Sequence, residues 1–249
     1  MGCRLAPLAV VLALSALPPA AAGADARAEQ QARGLIARYH EDPTRIDRAR
    51  DLLEAALKQE RRVDTLILLA RVHFLVGDVR ATTQEAKLAA YDRGREIGQR
   101  AVELAPRSEE AHLWYAINTG RWGQARGVVR SLFLLPTMRE ELEIIFTLNP
   151  KSVRGHALAG NVMFEVPGLL GGDRKKAEEH YRKALEIDPR FTVVRVDLAR
   201  LLIATDRHDE ARRELGRVID ERAPTNIADW TVKDVPRARA LLDSLKAKP

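Results

Sequence analysis

Six histidines and several adjacent carboxylates are the residues of this chain that could do chemistry, and their spacing argues against it. His40, His73, His112, His156, His180 and His208 are scattered one to a helix or loop. None forms His-Glu-x-x-His, and no two stand four residues apart, the spacing that puts two imidazoles on one helical face for a metal ion. His40 and His73 sit where packed, hydrogen-bonded core residues are expected. Glu140-Glu141 and Glu178-Glu179 are neighbours in sequence. Adjacent residues on a helix point about 100° apart and cannot work as an acid–base couple. There is no Gly-x-Ser-x-Gly elbow. Gly168–Asp173 lacks both the Gly-x-Gly-x-x-Gly pattern and the preceding strand of a dinucleotide site. A helical glycan-cleaving enzyme would need an exposed Glu in a cleft, and none stands out. The expectation is no catalysis, no metal and no cofactor.

What remains is binding, and the elements that would support it are helical. Apolar residues recur at i, i+3 and i+4 along the whole chain, and alternating strand patterns are missing. Ala177, Tyr181 and Ala184 return 34 residues later as Ala211, Leu215 and Val218, with Pro189 echoed beside Pro224. That offset is the period of the tetratricopeptide repeat, a helical hairpin whose second helix carries small-x₃-large-x₂-small and a closing proline. Ala49, Leu53 and Ala56 show the same signature. The chain therefore reads as all-α: residues 25–249 as about five tetratricopeptide-like hairpins in a right-handed α-solenoid, with residues 229–245 a linker and terminal helix capping the last apolar face.

The repeats are uneven. The first hairpin is placed at 26–40 and 44–59, with Thr44 as N-cap. The helix from Arg80 to Leu104 is too long for the repeat. Pro106 and Pro150 stand 44 residues apart, so the third unit holds an insertion: a helix 109–119 stopped at Gly120, an apolar run ended by Pro136, then 139–146. The loop Val166–Asp173 is longer than a tetratricopeptide turn needs. It reads as a backbone that turns twice, with Asp173 capping the next helix; a ligand gate or protein contact is the other reading.

Counting from each closing proline puts Arg71 and Phe74, Glu110, then Arg154, Asn161 and Phe164, then Arg200 on the concave side. Trp114, Tyr115 and Trp122 gather aromatic surface in a chain only 5% aromatic. Tyr115 falls on a packing position, and Trp114 is the one expected to be exposed. A groove of this mixture suits an extended peptide or an elongated amphipathic or anionic molecule. The chain carries 41 Lys and Arg against 35 Asp and Glu. The charges are interspersed along helices, with no basic cluster interleaved with aromatics, so nucleic acid is not an expected partner.

The N-terminus reads as an export signal. One positive charge precedes the apolar run Leu5–Ala16, Pro18-Pro19 follows, and Ala22-Gly23-Ala24 places cleavage after Ala24. The run is short of the roughly 20 residues that span a bilayer. Cys3, the single cysteine, precedes the apolar run, so a lipid anchor is not expected. Residues 1–24 are thus assigned to a signal peptide, and a periplasmic or secreted location follows.

Two blocks then carry a resemblance: Glu110–Ala116 with Gly120-Arg121-Trp122-Gly123 and Ser131-Leu132-Phe133, and Phe164–Asp173 with Ala177–Tyr181. Over roughly 65–245 the chain resembles the T-component family of bacterial TRAP transporters and its eukaryotic relative, the regulator-of-microtubule-dynamics family, both helical and tetratricopeptide-like. The resemblance to the bacterial family implies an exported protein that assembles as an oligomer with the transporter's substrate-binding subunit and handles hydrophobic small molecules. The reading taken from the residues is an exported scaffold that binds a protein partner; the transporter accessory is the alternative.

Overall fold

The structure, a computed structural model, describes residues 19–59 and 62–246. Helices α1 (Pro19–Ala37) and α2 (Thr44–Gln59) form the first hairpin, and α3 (Val63–Leu75) and α4 (Gln84–Leu104) the second. The third is α5 (Glu109–Arg126) with α6 (Val128–Leu132) and α7 (Leu135–Leu148). The fourth is α8 (Val153–Glu165) with α9 (Arg174–Ile187), the fifth α10 (Thr192–Ile203) with α11 (His208–Asp220). A single turn, α12 (Ile227–Asp229), leads through a π-helical turn, Trp230–Asp234, into α13 (Val235–Lys246). No strand occurs among the described residues. The architecture is an all-α, tetratricopeptide-like helical-repeat solenoid.

Helix starts are set by short polar side chains that satisfy free backbone N–H groups. Ser108, Ser152 and Asp173 accept from Ala111, Gly155 and both Lys175 and Lys176 respectively. At α2 the acceptor is Asp42, which takes the Thr44 N–H at 2.9 Å; Thr44 itself is already helical. Small residues let the hairpin helices close on one another. A Cβ on Gly98 would come within 2.8 Å of the Tyr115 backbone, and one on Gly160 within 2.5 Å of the Tyr181 ring.

The third hairpin departs from the sequence expectation at two points. Helix α5 runs straight through Gly120 and Gly123, because both glycines face α7 and its approach: Gly123 meets Leu134 and Ser131, and Gly120 meets Met138. The stop comes at Gly127, whose φ of +101° suits a residue without a Cβ. Pro136 opens α7 from its first turn instead of closing the preceding run, since its missing N–H is one the helix start leaves free anyway.

Two large apolar cores result, with a smaller third one of Leu113, Ala116, Met138 and Ile145 between α5 and α7. One holds Leu66, Leu69, Ile97 and Trp114 from the first half. The other holds Tyr181, Leu198, Leu201 and Leu215 from the second. The C-terminal segment joins them. Val235, Ala238 and Leu245 of its last helix enter the second core, as expected of a cap. Ala228 is buried in the first core, and Tyr39 donates to Asp229 at 2.5 Å. The chain's end therefore returns to its beginning across the concave side, and the open trough the repeats alone would leave becomes a chamber.

Candidate ligand chamber

Two π-helical turns make the closing contact. Val76–Arg80 follows α3, and Trp230–Asp234 precedes α13. Widened turns of this kind displace side chains from the regular helical path and are frequent at functional places. Here they set Asp78 against Lys233, whose Nζ lies 2.5 Å from the carboxylate, while the Arg121 guanidinium of α5 donates to the same carboxylate. Burial alone would raise the Asp78 carboxyl, but Lys233 and then Arg121 draw it down to about 2. The buried phenol of Tyr39 is held above its usual range by desolvation and by Asp229, so it stays a donor.

Beneath this clasp lies a cavity of about 750 Å³. Its apolar wall includes Phe74, Trp114, Ile117, Leu134, Met138 and Val162. Asn118 positions Trp114's helix by donating to the carbonyls of Ala70 and Trp114, at 3.0 and 2.8 Å. Six cations border the space, and four of them are paired. Arg121 and Lys233 share Asp78, Arg200 holds Glu165 at 2.8 Å, and Arg237 reaches Asp197 at 3.4 Å.

Arg71 and Arg154 differ. Neither has a carboxylate partner among the described residues; each lies instead over an aromatic face, Arg71 at 5.7 Å from Trp114 and Arg154 at 5.4 Å from Phe191. Burial, and then the positive charge of Arg154, push Arg71 down to about 10. It remains a cation at neutral pH, held at a cost that an anion between the two guanidiniums would relieve.

Of the residues expected to line the groove, Arg71, Phe74, Trp114, Arg154, Asn161 and Arg200 line this one cavity. Glu110 does not: it is exposed on the first turn of α5. Phe164 lies outside the lining too, half-buried against the second core with Arg200 over its ring at 5.5 Å. Asn161 is engaged by its neighbours, accepting from Tyr181 at 2.7 Å and donating to Asp197 at 3.4 Å. Trp114 is not exposed as expected; it is 6% accessible, and that edge faces the cavity. Trp122 lies away from it, between Arg95 and Arg126 at 4.6 and 4.3 Å.

Spacing along the chain missed Asp78, Arg121, Asp229 and Lys233. Only the Asp229–Lys233 interval of four, consistent with one helical face, hinted at the last two. It also missed two histidine contacts between helices. His156 and His180 meet at 2.9 Å between their Nδ1 atoms beside Phe146, and His112 reaches Glu141 at 2.7 Å. No group of three or more metal-ligating side chains exists among the described residues.

The family described as "Regulator of microtubule dynamics protein 1-3" matches residues 30–177, and a tetratricopeptide repeat matches 169–233. The chain is 25% identical to rat regulator of microtubule dynamics protein 3, covering 77% of this chain and 44% of that protein. It is 29% identical to mouse regulator of microtubule dynamics protein 2, covering 48% and 29%. The chain spans less than half the length of these curated relatives. A thermophilic TPR protein of Thermus thermophilus superposes with a TM-score of 0.62 at 22% identity, over 90% of this chain and 98% of that one.

These matches correct the sequence reading in three places. The T-component resemblance is overturned, because the matching family is the microtubule-dynamics one. With it goes the basis for a transporter substrate-binding subunit as partner. The bacterial, periplasmic or secreted location falls as well, since these relatives are mammalian proteins and mammalian cells have no periplasm. Residues 1–18 and Cys3, on which the signal and lipid-anchor expectations rested, lie outside the described residues; Ala24 falls inside α1.

Proposed function

The chain belongs to the regulator of microtubule dynamics family and is a non-catalytic tetratricopeptide-repeat protein, and from that premise we propose that it works by holding an amphipathic anion in the chamber under its C-terminal clasp. The head group, a carboxylate or phosphate, sits between Arg71 and Arg154, and the aliphatic part lies along Trp114, Ile117, Met138 and Val162. The observation that carries this reading is the pair of unpaired guanidiniums over an apolar floor. Arg71 feels Asp229 and Glu110 only at a distance, and a bound anion would supply direct charge-assisted hydrogen bonds to both guanidiniums.

A second reading has its own support in the tetratricopeptide architecture, which commonly grips polypeptides: the acidic end of a partner protein enters the same chamber. It meets an obstacle. A peptide brings a donor and an acceptor per residue, and the wall is mostly apolar, with Asn161 already engaged.

The two separate by titration with dansyl-undecanoate. Saturable one-to-one binding is expected, displaced by oleate and not by methyl oleate, and weakened at least about tenfold by Arg154→Glu. Equal displacement by acid and ester, or unchanged affinity in the variant, contradicts the anion site. Displacement by an acidic C-terminal peptide but not by oleate moves the assignment to a protein partner.

A further inference from the structure

The long loop between α8 and α9 has a definite shape that the ligand chamber does not require. Gly172 N–H donates to the Pro167 carbonyl at 3.1 Å and Asp173 N–H to the Met163 carbonyl at 2.9 Å. The 3₁₀ turn Gly168–Leu170 between them lifts Leu169 wholly into solvent and leaves Leu170 45% accessible. Turn positions favour Gly, Pro, Asn, Asp and Ser, so two adjacent leucines at such a tip are unusual. A second apolar tip stands in the turn between α6 and α7, where Phe133 is 79% accessible.

The two tips belong together. Leu132, Leu134 and Leu135 around Phe133 line the chamber, as does Val166 at the start of the loop, so both turns border the same cavity. Arg139 of α7 ties them by donating to the Leu170 carbonyl at 2.6 Å.

Charge around the two tips is mainly positive, although exposed Glu140 and Glu165 flank them. Residues 120–139 contain four arginines and no Asp or Glu. Arg126, Arg130 and Arg139 among them are exposed, and the loop runs into exposed Arg174, Lys175 and Lys176. The intervening Asp173 is occupied in capping α9.

We infer that this lip docks on the surface of an anionic lipid bilayer, with Phe133, Leu169 and Leu170 entering the interface and the surrounding arginines and lysines meeting acidic head groups. Protruding apolar tips beside exposed arginines and lysines match what an interfacial anchor needs: apolar area to bury and charge to draw it in. A protein partner would favour a continuous face or a groove with hydrogen-bonding complement, and two separate convex turns do not offer one. The inference stands whether or not the chamber holds an anion.

The test uses the full chain, with Cys3 changed to Ser and one new cysteine carrying an environment-sensitive fluorophore. Because the apolar run Leu5–Ala16 can itself seek lipid, the label is placed either at the lip, Leu169→Cys, or on the distant first hairpin, Asp51→Cys. Vesicles are phosphatidylcholine alone or an equal mixture with phosphatidylserine. The expected result is a blue shift at position 169 on the mixed vesicles only, reversed by high salt, with no response at position 51. Phe133→Ser combined with Leu170→Ser should weaken that response at least about tenfold. No shift at 169, equal shifts at both positions, or a shift at 169 that requires an acidic protein in place of lipid would each overturn the inference.

Discussion

Two sets of cations on the chamber wall use the same residue types to opposite purposes. At the clasp, Arg121 and Lys233 converge on Asp78, and Asp229 takes the Tyr39 hydroxyl; both cations have a carboxylate and the contact sews residue 78 to residue 233. Elsewhere on the cavity wall, Arg71 and Arg154 face aromatic rings, with no carboxylate in salt-bridge contact with either among the described residues, and burial, then the charge of Arg154, depresses Arg71. Paired cations hold the shape, and the unpaired ones are the proposed anion site. The distinction is energetic as well as geometric, because removing one partner from a buried pair is costly while removing a lone buried charge need not be.

The strongest way to break the comparison is Asp78→Ala. It leaves Arg121 with no carboxylate and Lys233 with only Asp229, at 3.5 Å, and should destabilise the fold by about 3 kcal/mol, measured by urea denaturation. A loss below about 1 kcal/mol would make the clasp ornamental. Tyr39→Phe is milder. It removes one donor to a charged acceptor and should cost about 2 kcal/mol; melting equal to wild type would show that Asp229 finds another donor at no cost.

Acid sharpens the contrast. The Asp78 carboxyl is held at about 2, below its ordinary 3.8. Its stabilisation is therefore present above the ordinary value and lost as pH falls through about 2, a change on the order of 2 kcal/mol. His73 is pushed down to about 4 by burial, so its contribution falls from pH 6.5 through about 4, while Asp234, raised by burial to about 6, contributes in the opposite sense as it takes up its proton. Asp78→Asn should keep the histidine-linked loss and abolish the lower one. Parallel curves for the two proteins across both windows would contradict the assignment. The smallest effect belongs to Arg71→Met, which removes a charge without a partner and should shift stability by no more than about 1 kcal/mol, in either direction.

How much of this the sequence disclosed follows from distance along the chain. Arg71 and Phe74, or Arg154 and Asn161, share a helix, so helical periodicity counted from each proline placed them on one side without knowledge of the tertiary fold. Glu110 and Phe164 failed at helix ends, where the face a residue presents depends on how the helix enters or leaves. The clasp was out of reach. Asp78 and Lys233 come together only because the last segment doubles back, and each sits in a π-helical turn that repeat spacing does not foresee. The same holds for His156 and His180, whose contact is made between helices. Glycine misled in the third hairpin, since Gly120 and Gly123 serve close packing while the real break is at Gly127. The family resemblance showed a different weakness: shared blocks around the 166–173 loop pointed to two families at once, and only the match over residues 30–177 separates them.

The measurement that bears most directly on the division between paired and unpaired cations is a pair of thermal melts, with and without saturating oleate, on wild type and on Arg71→Met combined with Arg154→Met. The account predicts that the two proteins melt alike without oleate and that only wild type gains stability with it, by the amount its affinity dictates. If oleate stabilises both equally, or if the double variant unfolds well below wild type on its own, the unpaired arginines are structural and the chamber has no anion site between them.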